Sequence, residues 1–403
     1  MKTTMRMTRI AAFASLALVA LGAFADAPPG LASPEAVRQL PLAGSLERAP
    51  VTFVRPCQEG EQVLSLGPHV AESREFFRRV TAGDLVAGVE LTTTAPGAVV
   101  RLSPLRQGMT PAALDPALLD VRTAAGDPFT AGSAFDTVAT ADQLRRAGVP
   151  FPEGTTAFRL RPEVGFGRLQ LSAPGFDAPS DAPYLLHVLD AGSLVTLSLR
   201  SASDTVVSGG TLAAQGWLSD AGEFQKVSFA EAEVTAPDAR RWPAKVRNQA
   251  DGSLGISLAL DAPPSPAAGL WELHLRVRGE VAGLDVAREV HTAFAYVIPT
   301  ARLSGPAVAA GRRGAVSVTV PVETAAEGRY AFRALVTGRD GRGEPRPLAW
   351  IESAAWLEAG EGRLSAQVPA GLVRASGLRP PFEVGGVSLL DQSRLQALPT
   401  GPN

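Results

Sequence analysis

The 403 residues carry 38 basic and 40 acidic side chains, a single cysteine and 45% hydrophobic residues. Scattered, nearly balanced charge excludes a general nucleic-acid or anionic-membrane binder, and one cysteine excludes an intrachain disulfide framework. The length allows two to four domains of ordinary size, each with its own core.

Lys2, Arg6 and Arg9 precede an apolar run from Ile10 to Leu21 and then Ala23-Phe24-Ala25. This is the charged, apolar and small-residue order of a secretory signal peptide, with cleavage expected after Ala25. The run is shorter than the roughly 20 residues of a spanning helix, so export without membrane insertion is expected, to the periplasm or outside the cell. Removing residues 1–25 leaves 35 basic and 40 acidic residues. Cys57 reads as a small buried side chain.

Residues 26–45 contain Pro28, Pro29, Pro34 and Pro41 with no sustained period and read as an extended lead-in. A β-rich N-terminal domain is expected over 46–178, opening with a strand at Val51–Arg55. Ala95-Pro96-Gly97 makes a turn between Val89–Leu91 and Val99–Leu102. Short helices are expected at Pro111–Leu119 and at Ala141–Ala147, the second capped by Thr140. Strands at Thr156–Leu160 and Phe166–Ser172 close the domain before a proline-rich run.

From Tyr184 onward, strand signals with intervening turns recur every ten to fifteen residues, the spacing of a seven-strand sandwich. Two domains of immunoglobulin size are expected, at 179–299 and 300–396, followed by a frayed tail at 397–403. Gly269–Gly279 and Gly328–Gly338 both read Gly-x-aromatic-x-apolar-basic-x-x-Val-x-Gly. In each, alternate positions are apolar: Trp271, Leu273, Leu275 and Val277, then Tyr330, Phe332, Ala334 and Val336. That is the period-two signature of a core strand, and the repeat predicts tandem sandwiches. Trp217 and Trp242 are also assigned to cores, and the short junction near Pro299 suggests restricted motion between domains.

This order, an exported β-rich domain, then Gly-Leu-Trp-Glu-Leu-His-Leu-Arg-Val-Arg-Gly, Glu289-Val-His-Thr-Ala-Phe-Ala-Tyr296 and a second such module, resembles an uncharacterised family of exported Gram-negative bacterial proteins with tandem immunoglobulin-like domains. The resemblance implies fold and export, and no chemistry. The fold class is therefore all-β in three domains, an N-terminal β-sandwich-like domain with one or two short helices followed by two immunoglobulin-like β-sandwiches.

The common catalytic motifs are absent from the sequence. A hairpin turning between Gly279 and Gly283 places His274 opposite Glu289 and Glu272 opposite His291 on an outward face. These four could hold a divalent metal such as zinc, or simply pair across strands. In that register Arg288 falls on the inward parity, which points to a bulge or a misplaced register. Counting by two from Trp350 puts Glu352, Ala354 and Trp356 on one face, where exposed indoles could stack on sugars or a protein partner. Asp115, Asp120, Asp127 and Asp136 are candidate calcium ligands from loops. The composite reading is an exported non-catalytic binding or structural protein recognising glycan or protein, with no obligatory cofactor. One alternative is an extracellular hydrolase with its site in the N-terminal domain and the sandwiches as accessory modules, and another is a chaperone or secretion accessory pairing by strand addition at an exposed edge.

Overall fold

Period-two alternation gives each long strand one apolar face, and three sets of such faces close on three separate cores. The computed structural model describes residues 30–40, 42–44, 46–58, 69–105, 113–146, 148 and 151–400. The expected leader and its cleavage site lie outside the described residues.

In the N-terminal sandwich one sheet runs in the order Glu75–Thr81, Pro183–Leu189, Val99–Pro104, Thr156–Leu160, Phe135–Thr140. It packs on a second sheet ordered Val89–Thr93, Gly167–Ser172, Asp120–Thr123, Pro128–Thr130. Leu102, Leu119, Phe158, Leu171, Tyr184 and Leu186 fill the space between them. Pro183–Leu189, read from sequence as the first strand of the second domain, lies in the middle of this N-terminal sheet. Its alternation fixes which side chains face inward, but only pairing partners decide which sheet it joins.

Of the expected helices, Ala141–Arg146 forms, with the Gln143 Oε1 accepting a hydrogen bond from the Thr140 N–H at 2.8 Å. Residues 111 and 112 lie outside the described residues. Beyond them the expected Pro111–Leu119 helix is reduced to a single 3₁₀ turn at Pro116–Leu118, capped by the Asp115 carboxylate.

The middle sandwich sets Val70–Ser73, Val195–Ser201, Gly210–Asp220 and Leu254–Leu260 against Val227–Thr235, Trp271–Val281 and Leu284–Val297. Arg241–Asn248 belongs to both sheets: residues 241–244 pair with 232–235, and residues 245–248 pair with 254–257. In the C-terminal sandwich, Ala301–Leu303 and Val308–Arg312 flank one side of Ala315–Thr324 and Gly360–Val368 flanks the other. The opposing sheet runs Val51–Pro56, Pro345–Leu357, Gly328–Arg339, Arg379–Asp391, Gln396–Leu398.

The two repeat strands are equivalent core strands of different sandwiches. All eight alternate apolar residues, Trp271 to Val277 and Tyr330 to Val336, are buried, the Leu, Val and Phe side chains among them contributing about 1.5–3 kcal/mol each. Trp242 stacks on Trp271 with ring centroids 5.0 Å apart. Trp217 differs from expectation. It is half-buried on the outer face of its strand and stacks against exposed Phe224.

The strand expected to open the N-terminal domain, Val51–Pro56, pairs instead with Pro345–Leu357, at the edge of the C-terminal sheet. The described residues between 30 and 56 thus form an arm that precedes the N-terminal sandwich in sequence and rests on the C-terminal one. Ala32 N–H donates to Pro299 O at 2.9 Å and Ala43 N–H to Ser393 O at 2.8 Å. This explains why the second repeat strand has two buried faces near its start. Arg329 and Ala331 point away from the core, and the arm covers Arg329, whose Nη1 donates to Ala49 O at 2.9 Å.

Both junctions between sandwiches are bonded. Between the first two, Arg288 projects inward and is fully buried. Its Nη2 donates to Asp190 Oδ2 at 3.0 Å, to Thr94 Oγ1 and to Ser193 Oγ, and its Nε donates to Val195 O. Asp190 Oδ2 also accepts from the Thr94 N–H at 2.7 Å. Three segments therefore meet on one ion pair: an N-terminal turn, the linker and a middle-sandwich strand. Between the last two sandwiches, Thr300 Oγ1 donates to buried Asp391 at 2.7 Å, and Ile298 N–H donates to the Gln396 side chain.

Candidate functional site

The C-terminal sandwich gapes where its two sheets end in edge strands, Val51–Pro56 on one sheet and Gly360–Val368 on the other. Between them lies a groove of about 740 Å³, lined by Thr52, Val54, Ser317, Thr319, Ser365 and Gln367, with Val318, Ala366 and Pro369. Alternation puts Ser365 and Gln367 outward on one edge and turns Thr52 and Val54 toward the gap on the other. Ser353 ties the two edges together: its Oγ lies 3.0 Å from Thr52 Oγ1 and donates to Ser365 O at 2.8 Å. The lining side chains are uncharged and four of the nine are small hydroxyls, and among the described residues each edge strand is paired on one side only. An extended chain can satisfy such an edge with backbone hydrogen bonds.

The outer face of the same sheet carries the tryptophans singled out from sequence. Trp350, Glu352, Ala354 and Trp356 do share that face, with Arg333 opposite Glu352. Trp356 lies under the arm, the Arg48 guanidinium 4.1 Å above its ring and its Nε1 buried without a hydrogen-bond partner. Trp350 is half-buried under Arg333 at 5.1 Å. Its diagonal neighbour on the arm strand is Phe53, which is 67% exposed and was not singled out from sequence. The two indoles are thus not presented together; the open aromatic surface combines Trp350 with Phe53.

The expected four-residue set at the middle hairpin is arranged differently from the sequence reading. The turn is Ala282-Gly283, both at positive φ (51° and 77°), so the strands continue two residues further than expected. The register shifts by two. His274 faces His291 with ring centroids 5.5 Å apart, Arg276 faces Glu289, and Glu272 faces Ala293. A shift of two preserves parity, so these side chains still point outward and Arg288 still points inward, with no bulge between the two strands.

The four do not converge on one point. Glu272 pairs with His274 at 3.0 Å, whereas Glu289 is taken by Arg276 Nε at 3.2 Å and by the Phe77 N–H at 3.2 Å. Burial pushes the Glu289 carboxyl up, against the pull of those two donors, and burial pushes the His274 imidazole down.

Glu289 opposes Glu75 of the N-terminal sandwich, joining the two sandwiches into one continuous sheet. Glu75 bonds His187 Nε2 at 2.8 Å, which holds its carboxyl below the ordinary value, and His187 stacks on Phe77 at 4.4 Å. Three of the four histidines of the chain therefore lie along one outer face that crosses the junction. A groove of about 310 Å³ opens at its far end, where Arg241–Asn248 leaves its partner, lined by Glu231, Glu233, His274 and Arg276.

Among the described residues no group of three or more His, Cys, Asp and Glu is placed to hold a metal ion. The aspartates considered for calcium have separate local tasks. Asp115 caps the 3₁₀ turn, Asp127 bonds Thr123 across a turn, Asp136 pairs with Arg159 at 2.9 Å, and Asp120 sits in a strand.

The model of the N-terminal domain of DUF4785, a domain of unknown function, matches residues 42–190, and that of the DUF4785 C-terminal domain matches residues 300–401. The chain carries both end domains of the DUF4785 family. The N-terminal match spans the arm strand and Pro183–Leu189, although in space the two belong to different sandwiches. A DUF4785 family protein from Legionella pneumophila, a solved structure, superposes with a TM-score of 0.69 at 21% identity, covering 92% of this chain and 95% of its own. That likeness extends the shared fold over the middle sandwich. The FN1–FN3 domains of chicken CNTN1 give a TM-score of 0.20 at 8% identity, over 82% of this chain and 96% of their own, too low to bear on the fold. No curated protein matches. Among the described residues no helix is long and apolar enough to cross a membrane.

Proposed function

We propose that this DUF4785 protein is an exported, non-catalytic binding protein that receives an extended polypeptide segment in the groove of its C-terminal sandwich. The observation that carries the reading is the pair of edge strands, Val51–Pro56 and Gly360–Val368, facing each other across about 740 Å³ of uncharged hydroxyl-rich surface. Main-chain pairing at an edge supplies affinity with little demand on side-chain sequence, and small lining residues leave room for the incoming backbone. The chain itself already uses this mode, since the arm strand extends the same sheet from about 300 residues away.

Selection of a random dodecapeptide display library on the immobilised mature protein tests the proposal. Enriched peptides are expected to bind the wild type and to lose at least tenfold in affinity on Ser365→Trp, which fills the groove. Peptides that bind both forms equally, or a selection without enrichment, would refute it.

A second reading is favoured by exposed Phe53 beside Trp350, a surface suited to stacking on sugar rings. On a glycan array this reading expects binding that Trp350→Ala or Phe53→Ala abolishes and that Trp356→Ala leaves in place.

A further inference from the structure

We propose that the polypeptide received by the C-terminal groove carries an acidic stretch, which lies on an arginine-rich pole at the groove's end. This names the class of partner for the groove and rests on the groove reading. The pole is the end of the C-terminal sandwich away from the middle one, where Ala315–Thr324 begins and Gly360–Val368 ends. Four segments distant in sequence meet there: the turn at 312–314, the hairpin end at 339–346, the helix Ala370–Ser376 and residues 379–383. Packing fixes their proximity. A Cβ at Gly314 would lie 3.6 Å from that of Ala370, one at Gly311 or Gly338 would touch the Phe382 ring, and Arg339 is the cross-strand partner of Arg379.

These four segments hold seven arginines against three acidic residues, in a chain whose formal net charge is −2. Glu383 takes Arg339 at 2.6 Å and Asp340 takes Arg346 at 3.3 Å. Arg312, Arg313, Arg342, Arg374 and Arg379 are exposed and, among the described residues, have no carboxylate partner. Like charges gathered without counter-ions repel one another, and guanidiniums take carboxylates in bidentate pairs, so an acidic ligand relieves the pole.

The pole adjoins the groove. Pro369 lines the groove and is the cap residue of the helix, with Arg374 about 8 Å further along the axis. Ser317, the partner of Gln367, lines it too, and Arg313 lies about 13 Å back along the same strand direction. An extended chain leaving the groove at Ser317 and Gln367 therefore reaches these arginines within about four residues. The pole's other side chains favour a polypeptide over other polyanions. Phe382 is half-buried and no aromatic ring in the four segments is exposed, so bases and sugars have no platform; no large apolar residue there is exposed to enter a bilayer.

Three forms of the mature protein are compared: the wild type, Arg312→Ser with Arg374→Ser, and, as a control of equal charge loss, Arg247→Ser with Arg278→Ser, two exposed arginines of the middle sandwich. Dodecapeptides enriched on the immobilised wild type are expected to carry acidic residues clustered at one end. They are expected to bind the pole variant roughly tenfold more weakly and the control as tightly as the wild type. Their affinity for the wild type should fall as salt rises, a measurement that needs no substitution. Enriched peptides without acidic clusters that bind all three forms alike would overturn the inference while leaving the groove reading in place. Dodecaglutamate titrated onto the wild type and Ser365→Trp reads the pole by itself: equal binding to both is expected, and no binding at low salt overturns the inference. Acidic peptides lost on the pole variant but retained on Ser365→Trp would overturn the groove reading, and with it the claim that one chain spans groove and pole.

Discussion

Replacing Arg288 with methionine takes the guanidinium away from Asp190 while leaving a side chain of similar length in the core. In the native chain the pair is fully buried, and Asp190 Oδ2 accepts from Arg288, the Thr94 N–H and the Thr94 hydroxyl within 3.0 Å, while its Oδ1 is buried without a partner. Burial alone pulls the Arg288 guanidinium down, and the nearby carboxylate opposes that pull. Removing one member of such a pair costs about 3–5 kcal/mol, because the other is left as an uncompensated buried charge. Arg288→Met with Asp190→Asn removes both charges and keeps an acceptor for Thr94, so most of the loss should return. Urea unfolding followed through Trp242 and Trp271 reads the middle sandwich, and hydrogen exchange over residues 185–199 reads the junction. A double-mutant cycle then isolates the coupling. A loss below about 1 kcal/mol in Arg288→Met, or a double variant no better than the single one, would refute the argument that this ion pair fastens the first two sandwiches.

Arg329→Ala removes the donor to Glu47 O and Ala49 O, each charge-assisted bond being worth on the order of 1.5–3 kcal/mol; limited proteolysis within 42–58 should accelerate, and unchanged protection would count against the arm's anchor. Ala282 sits at φ 51° in the two-residue hairpin turn, so Ala282→Gly should stabilise the middle sandwich by about 1 kcal/mol, read as a higher urea midpoint. The folded value of Glu75 is depressed, chiefly by the His187 hydrogen bond, so its contribution to stability is present above the ordinary carboxylate value of 4.5 and is lost as pH falls through the lower folded value. His187→Gln should flatten the acid side of the stability–pH curve, and parallel curves for variant and wild type would contradict that. Thr81 closes a capping box with Asp84, and Thr81→Ala should cost about 1 kcal/mol in the N-terminal sandwich by thermal unfolding.

Side-chain alternation was readable along the chain because its period is local. It identified both repeat strands, the inward parity of Arg288 and the outward parity of Glu272, His274, Glu289 and His291 without any knowledge of partners. It also gave tandem sandwiches, since a strand with one apolar face must bury it against another sheet. What alternation cannot carry is pairing. The arm strand and Pro183–Leu189 have ordinary strand sequences, and only their partners place them in the C-terminal and N-terminal sandwiches. A two-residue turn at Ala282 rather than a longer loop moved His274 from Glu289 to His291, which dissolved the expected four-residue set. The arm likewise decided that Trp356 is covered and Phe53 open, although both lie on parities the sequence could count. Local geometry set which way each side chain points; long-range contact, whose entropy cost depends on the whole chain, decided which side chains meet.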